Sequence, residues 1–139
     1  GYTDLKPMTG AEKILRALAD DGMPLAVISN KRHEVLVGEM AHIGWAPLFR
    51  KFVGAGYGEH DKPAPDALLR MRQELGINGD PAEIWYIGDT EPDLRASQAA
   101  GFTAVLLLQN HDKSALIEQY QPALALPGCG DSLAAIAVR

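Results

Sequence analysis

Residues 84–93 read IWYIGDTEPD, and this stretch decides the fold class. A mostly apolar run over residues 84–88 ends in glycine, as is typical of a strand that is covered on both faces of a parallel sheet. An aspartate follows directly, and Pro92 suits the first turn of a helix that Gly101 would end. The stretch therefore predicts a buried strand that leads straight into a helix.

Outward from this stretch, strand-like and helical segments alternate along the chain. That alternation predicts a three-layer α/β/α, Rossmann-like core with a mainly parallel sheet, formed as a single domain by residues 1–139. Further strands are expected at about residues 24–29, 51–54, 103–108 and 123–126. Further helices are expected at about residues 33–43 and 65–75 and from about residue 131 in the tail.

The first helix has a clear signature. Thr9 and Glu12 form a capping box, and Ile14, Leu15 and Leu18 are predicted to form the apolar face of the helix.

The helix at residues 65–75 is predicted in the same way to place Leu68, Leu69 and Leu75 on one side. Trp45 and Phe49 are expected to pack in the core or at its edge.

Composition and charge exclude several classes of partner. The net charge of −5 predicts no interaction with nucleic acid or with an anionic membrane surface. The apolar run at residues 104–108 is much shorter than the roughly 20 residues that span a bilayer. A single cysteine, Cys129, cannot form an internal disulfide, and no signal-peptide pattern is present, so we expect a cytoplasmic protein.

Polar side chains follow three of the predicted strands. Because ligands of open parallel sheets bind at the carboxyl ends of the strands, these side chains are candidates for a common site. They supply a hydroxyl, an amide, two lysines and two carboxylates: Ser29, Asn30, Lys31, Lys62, Asp89 and Asp93. These groups suit a phosphate and a hard divalent cation.

Each of these motifs also has an ordinary structural explanation. Asp89 and Asp93 suit Mg²⁺, but equally Asp89 could help to cap the helix that follows while Asp93 complements its positive N-terminus. Lys62 could neutralise a phosphate or be a solvated loop lysine, and Ser29 and Asn30 could bind a phosphoryl group or close a turn.

The combination is more specific than its parts. A strand ending Ser-Asn-Lys, then Lys-Pro-x-Pro-Asp, then an apolar strand with Gly-Asp-x-x-x-Asp resembles the haloacid dehalogenase superfamily, most closely its phosphoglycolate-phosphatase-like branch. The resemblance implies that Ser29 and Asn30 contact the phosphoryl group and that Lys62 stabilises its charge. It also implies that Asp89 and Asp93 form a Mg²⁺ site.

The resemblance further implies a Mg²⁺-dependent phosphomonoester hydrolase that acts on a small phosphorylated metabolite, with Lys31 near the substrate. One alternative is an inactive relative that binds phosphate and metal or serves as an assembly partner. A receiver-like signalling domain is a weaker alternative, because the Lys-Pro-x-Pro-Asp segment argues against it.

The family's nucleophile motif is not found in these 139 residues. Members attack phosphate with an aspartate in Asp-x-Asp-x-Thr and form an aspartyl-phosphate, whereas Asp4 has no preceding strand and no second aspartate at that spacing. The cap domain that normally follows this motif is missing too. We therefore expect this chain alone to be inactive, with its nucleophile supplied from elsewhere.

In the family's strand order, the missing strand lies between the strands that end at Ser29 and Gly88. Its omission would leave those strands about 10 Å apart with unpaired backbone groups. An upstream segment, direct pairing of the two strands, or a strand from another chain or from the tail could fill the gap. Because the sequence starts at Gly1 rather than methionine, we favour an upstream segment and expect the tail to be helical. Homodimerisation or strand complementation is also expected from such a gap.

Overall fold

The computed structural model describes residues 10–128 and 135–138. Within them, five α-helices alternate with six strands, and two short 3₁₀ turns lie at Ala46–Leu48 and Pro81–Glu83. In chain order the elements are α1 (Gly10–Asp20), β1 (Leu25–Ile28), α2 (His33–Ile43), β2 (Lys51–Val53), α3 (Asp66–Glu74), β3 (Ile84–Gly88), α4 (Glu91–Ala100), β4 (Thr103–Leu107), α5 (Ser114–Tyr120), β5 (Leu124–Leu126) and β6 (Ala135–Val138).

The strands form one sheet in the order β2-β1-β6-β3-β4-β5. The pairs β1–β2, β3–β4 and β4–β5 are parallel, and β6 is antiparallel to both β1 and β3. Five strands therefore point the same way, as predicted for a mainly parallel sheet. Their carboxyl ends lie along one edge, where residues that follow β1 and β3 line a common cavity.

The central position between β1 and β3 is filled by the tail. Ala135 lies opposite Val27 on one side and Ile87 on the other, so β6 bridges the two parallel halves of the sheet. The prediction of a helical tail is therefore wrong for Ala135–Val138, and the start expected for that helix, at about residue 131, lies outside the described residues. Backbone hydrogen bonding explains the result, because β1 and β3 would otherwise each leave a row of unpaired N–H and C=O groups inside the protein.

Helices cover both faces of the sheet beside β1. Leu25 and Val27 pack on one face against residues of α1 and α2. Ala26 and Ile28 point to the opposite face and pack against residues of α3 and α4. All four are buried, as expected for a strand between two helical layers. The three-layer Rossmann-like α/β architecture is thus confirmed.

Two predicted helix faces need correction. Ile14 is 62% exposed, and it is Leu15 and Leu18 that pack against the core. Leu69 is 44% exposed, and Met71 is fully buried on the inner face of α3 instead. Adjacent positions on a helix point about 100° apart, so a leucine next to a buried residue can face the solvent.

Only one residue of the capping box predicted at the start of α1 lies within the described residues. Thr9, the first half of the proposed capping box, lies outside the described residues. Glu12 accepts a hydrogen bond from Trp45 Nε1 at 2.7 Å. Trp45 and Phe49 are buried against the same cluster, as predicted for core residues.

Helix α5 was not predicted from the sequence. It has only seven residues, and its opening is marked by Asp112, whose carboxylate accepts from Ser114 N and Ser114 Oγ at 3.0 and 2.6 Å. None of the helices within residues 10–128 is long and apolar enough to cross a bilayer.

Candidate functional site

A cavity of about 490 Å³ opens at the carboxyl ends of β1 and β3. All the candidate residues predicted from the sequence line it, together with two more from the start of α4. The lining residues are Ser29, Asn30, Lys31, Lys62, Asp89, Thr90, Pro92 and Asp93. The structure therefore brings the predicted residues together, while their roles toward a ligand stay predictions.

A buried ion pair lies deep in this cavity. Lys62 Nζ lies 2.7 Å from Asp93 Oδ1, and the two side chains are only 5% and 6% exposed. Lys62 comes from the loop between β2 and α3, whereas Asp93 is in the first turn of α4. The pair therefore joins the loop after β2 to the start of α4 across 31 residues of sequence.

Two further acceptors saturate the Lys62 ammonium. It donates to the Ile28 carbonyl oxygen at 2.8 Å and to the Tyr86 hydroxyl at 2.9 Å. An ammonium has three protons, so its donors are all engaged within the protein. Tyr86 in turn donates to the Ile28 carbonyl at 3.1 Å. Burial, and next the charge of Asp93, raise the pKa of the Tyr86 hydroxyl well above its usual range, so it stays protonated.

The second oxygen of Asp93 caps α4. Asp93 Oδ2 accepts from Asp89 N at 3.2 Å, Thr90 N at 3.1 Å and Thr90 Oγ1 at 2.7 Å. Gly88 permits this approach, because a Cβ there would lie 2.4 Å from the Asp93 Cβ. Asp93 therefore makes the capping contacts that the structural explanation assigned to Asp89. Direct metal ligation by Asp93 would have to compete with these contacts.

Asp89 differs from Asp93 in which of its groups are engaged. It is half-buried, and no side chain or backbone group of the described residues is hydrogen-bonded or ion-paired to its carboxylate. Its backbone, by contrast, is held on both sides: its N–H by Asp93, as above, and its carbonyl oxygen by Lys113 Nζ at 2.6 Å. A carboxylate with free lone pairs on a fixed backbone is suited to a hard cation such as Mg²⁺.

The segment that follows β1 combines a free donor with an engaged amide. Ser29 Oγ accepts from Lys31 N at 3.1 Å, and no described residue accepts a hydrogen bond from its hydroxyl. The Asn30 side chain instead pairs with the backbone of Lys62, donating to its oxygen at 2.8 Å and accepting from its nitrogen at 3.2 Å. Asn30 therefore fixes the loop that carries Lys62, and its predicted phosphoryl contact would require a second use of the same amide.

Lys31 lies at the exposed mouth of the cavity. Its ammonium is 2.9 Å from both carboxylate oxygens of Glu39 on α2. Its backbone is fixed by close packing, because Ala55 N donates to Lys31 O at 2.7 Å and a Cβ at Gly54 would lie 2.5 Å from the same oxygen.

A second group of potential metal ligands lies in the loop before α3 and at the first residue of that helix. Ligand atoms of Glu59, His60 and Asp66 lie within 4.8 Å of one another. None of the three lines the cavity. The hydrogen bond from His60 lowers the pKa of the Asp66 carboxyl, and these contacts order the loop rather than build the cavity.

Most of the chain matches a family of known proteins. Residues 2–107 match the family model of haloacid dehalogenase-like hydrolases. The chain belongs to this family. The matched region includes β1 to β4 and every predicted site residue, so the haloacid dehalogenase resemblance inferred from the motifs is confirmed.

Curated relatives of the chain include phosphoglycolate phosphatases. That of Escherichia coli (strain K12) is 29% identical over 122 residues, which make up 88% of this chain and 48% of the relative. That of Pectobacterium atrosepticum is 30% identical over 122 residues, covering 88% of this chain and 51% of the relative. The branch predicted from the sequence is thus confirmed. The chain spans about half the length of the curated relatives that it matches.

Solved structures show the same fold. A haloacid dehalogenase-superfamily hydrolase from Ehrlichia chaffeensis superposes with a TM-score of 0.65 at 27% identity, over 70% of this chain and 47% of that one. A family IA, variant 3 hydrolase from Entamoeba histolytica gives a TM-score of 0.73 at 21% identity, over 91% and 56%. These likenesses confirm the Rossmann-like core of the superfamily.

Sequence reasoning missed three residues of the site. Thr90 is the N-cap of α4, and Asp93 supplies the N3 side chain of the same capping box, a pattern that Thr-x-x-Asp could have revealed. Tyr86 looked like an ordinary strand residue, although a tyrosine buried in a core usually needs a partner for its hydroxyl. Lys113 gave no signal, because its contact with Asp89 crosses 24 residues.

Proposed function

We propose that this chain provides the phosphate- and cation-binding cavity of a Mg²⁺-dependent phosphomonoester hydrolase. One observation carries the proposal: a carboxylate without a partner among the described residues, Asp89, and a hydroxyl donor, Ser29, line the same cavity as the buried cation of Lys62. The relatives are phosphoglycolate phosphatases by description, so a small phosphorylated metabolite is the substrate class we propose.

The donor set fits Mg²⁺. Magnesium prefers oxygen ligands and is typically bound by one or two carboxylates together with phosphate oxygens and water. Asp89 would be the direct protein ligand, while Asp93, with both its oxygens engaged, would act by fixing the backbone of Asp89. When bound, the ion would neutralise charge on the phosphoryl oxygens.

Four further residues would each contribute to phosphate binding in a different way. Ser29 would donate its free hydroxyl proton to a phosphoryl oxygen. Lys62 would contribute positive charge from the buried end of the cavity and keep its three hydrogen bonds. Asn30 would hold the Lys62 backbone in place. Lys31 would meet the ligand at the cavity mouth, where it would exchange part of its contact with Glu39.

The nucleophile of the proposed reaction is an aspartate from outside residues 1–139. Its carboxylate would form a bond to phosphorus as the ester P–O bond breaks and the substrate's alcohol leaves with a proton, which gives an aspartyl-phosphate. Water would then hydrolyse this intermediate to phosphate and the free aspartate. The central sheet position is held by Ala135–Val138, which contains no acidic residue. A strand from another segment or another chain would have to displace β6 to pair there, and homodimerisation or strand complementation belongs to this proposal.

The position of β6 between β1 and β3 favours a second candidate function. With β6 closing the sheet, the chain would be a module that binds phosphate and Mg²⁺ without turnover, or an assembly partner. The cavity would be retained, and the covalent step would not take place.

One set of measurements separates the two candidates. The purified chain is assayed for Mg²⁺-dependent hydrolysis of an aryl phosphate, and for binding of inorganic phosphate by calorimetry with and without Mg²⁺. Turnover that Asp89→Asn abolishes would support the hydrolase, with a nucleophile still to be located. Mg²⁺-dependent phosphate binding without turnover is expected of the chain alone under both candidates. The assay is therefore repeated with an added strand that carries the family's Asp-x-Asp-x-Thr motif: turnover gained in this way would support the hydrolase, and continued binding without turnover would support the binding module. Asp20→Asn, an exposed aspartate at the end of α1, is the matched control and should behave as wild type. Absence of any Mg²⁺-dependent phosphate binding would contradict both candidates.

A further inference from the structure

The ends of β3 and β4 are joined by a lysine side chain. Lys113 Nζ donates to the carbonyl oxygens of Asp89 and Leu107 at 2.6 and 2.7 Å. The parallel register of the two strands ends with Gly88 opposite Leu106, so Asp89 and Leu107 would form the next pair. Lys113 thus binds two carbonyl groups at the point where the strands separate.

The conformation of the loop after β4 places Lys113 next to the ends of β3 and β4. Gln109 and Asn110 both have positive φ values, 56° and 61°, a conformation that is uncommon for residues other than glycine. His111 N donates to Leu108 O at 3.0 Å, and Ser114 N donates to Asp112 Oδ1 at 3.0 Å. Two consecutive left-handed residues cost conformational energy, and they persist because the surrounding contacts define the loop.

The consequence for Asp89 is that both polar groups of its backbone are held by charged side chains. Its N–H donates to Asp93 and its carbonyl accepts from Lys113, whereas its carboxylate has no partner among the described residues. A ligand side chain whose backbone is fixed before the cation arrives loses less conformational freedom on binding.

We infer that Lys113 is a positioning residue for the cation-binding carboxylate of Asp89, which rests on the metal role of Asp89 in the proposed function. Lys113 does not line the cavity, so it acts through the Asp89 backbone. Its positive charge by itself opposes cation binding. The positioning effect and the charge effect therefore predict changes of opposite sign when the lysine is replaced.

The test compares Lys113→Met, which removes both the charge and the donors, with Lys113→Arg, which keeps both. Mn²⁺ affinity is measured by electron paramagnetic resonance and Mg²⁺ affinity by calorimetry. Lys113→Met should weaken both affinities about 10-fold, the lower end of the range for residues that orient metal ligands. Lys113→Arg should restore most of the affinity. Lys51→Met is the matched control, because Lys51 pairs with Glu74 and does not line the cavity.

Amide hydrogen exchange at Asp89 and Thr90 provides a readout that needs no metal. Lys113→Met should speed exchange at these amides, and Lys51→Met should not. Tighter cation binding by Lys113→Met would overturn the inference, because charge would then outweigh positioning. Unchanged exchange at the two amides would overturn it as well. A wild-type chain that binds neither cation would count against the proposed metal role of Asp89, and the exchange comparison would still decide whether Lys113 positions that residue.

Discussion

The floor and the rim of the cavity each contain one lysine and one aspartate, in opposite states. On the floor, Lys62 and Asp93 are buried, paired at 2.7 Å and saturated with hydrogen bonds. On the rim, the Lys31 side chain is 42% exposed, and the Asp89 carboxylate has no partner among the described residues. Residue type is thus the same in both regions, while burial and hydrogen bonding differ.

The difference indicates a division of labour. Buried charges must be paired and hydrogen-bonded, so the floor stabilises the arrangement of β1, β3 and α4 before any ligand arrives. On the rim, Lys31 is held only by an exposed ion pair with Glu39, and the Asp89 carboxylate has no partner among the described residues, so both groups are accessible to a phosphate or a cation. Substitutions on the floor should therefore act mainly on folding, and those on the rim mainly on binding.

The largest effect on folding is expected for Lys62→Met. It leaves Asp93 buried without its ion-pair partner, which typically costs about 3–5 kcal/mol. Urea denaturation monitored by circular dichroism would measure the loss in the free energy of unfolding. Lys31→Met is the matched control and should cost less than about 1 kcal/mol, as for exposed ion pairs. Equal losses for the two variants would remove the distinction between floor and rim.

A smaller loss is expected for Gly88→Ala. Its new Cβ would lie 2.4 Å from the Asp93 Cβ, so the floor must shift, at a cost of about 1–3 kcal/mol for overpacking. Gly38→Ala is a suitable control, because Gly38 lies in α2 with no atom within 4 Å of an added Cβ. That change should be neutral or stabilising by up to about 1 kcal/mol. A well-tolerated Gly88→Ala would mean that Asp93 is not tightly held.

Tyr86→Phe should cost about 1 kcal/mol, because Lys62 loses one acceptor but keeps two. It should also change the response to alkaline pH. The folded-state pKa of Tyr86 is raised, so its contribution to stability is complete below the unfolded tyrosine pKa of about 10 and is lost as pH rises above it. Denaturation at pH 8 and above pH 10 should show a smaller loss of stability with pH in Tyr86→Phe than in wild type. Parallel losses would show that Tyr86 ionises freely.

The sequence predicted those parts of the fold that depend on local patterns. The bounds of α2 and β3 match the expected ranges because local residues mark them. Helix α2 ends at a glycine with a φ of 73°, and the apolar strand β3 ends at Gly88. The convergence of Ser29, Lys62 and Asp89 also followed from local reasoning, since each lies after a strand whose carboxyl end reaches the same edge of the sheet.

Contacts between distant segments could not be predicted in this way. The Asn30 amide pairs with the Lys62 backbone across 32 residues, and no local pattern marks that use of an amide. The tail was misjudged for a related reason. Whether Ala135–Val138 forms a helix or a strand is decided by the backbone groups of β1 and β3, which the tail sequence does not contain.

Asp89→Asn should have the smallest effect on folding and a large effect on binding. Because the carboxylate makes no contact with the described residues, the free energy of unfolding without metal should change by less than about 0.5 kcal/mol. In wild type, Mg²⁺ at about 100 times its dissociation constant should add about 2.7 kcal/mol through mass action, and this gain should disappear in the variant. Urea denaturation with and without Mg²⁺ gives both numbers. A variant that is destabilised without metal, yet still stabilised by Mg²⁺, would assign Asp89 to the floor and place the cation elsewhere.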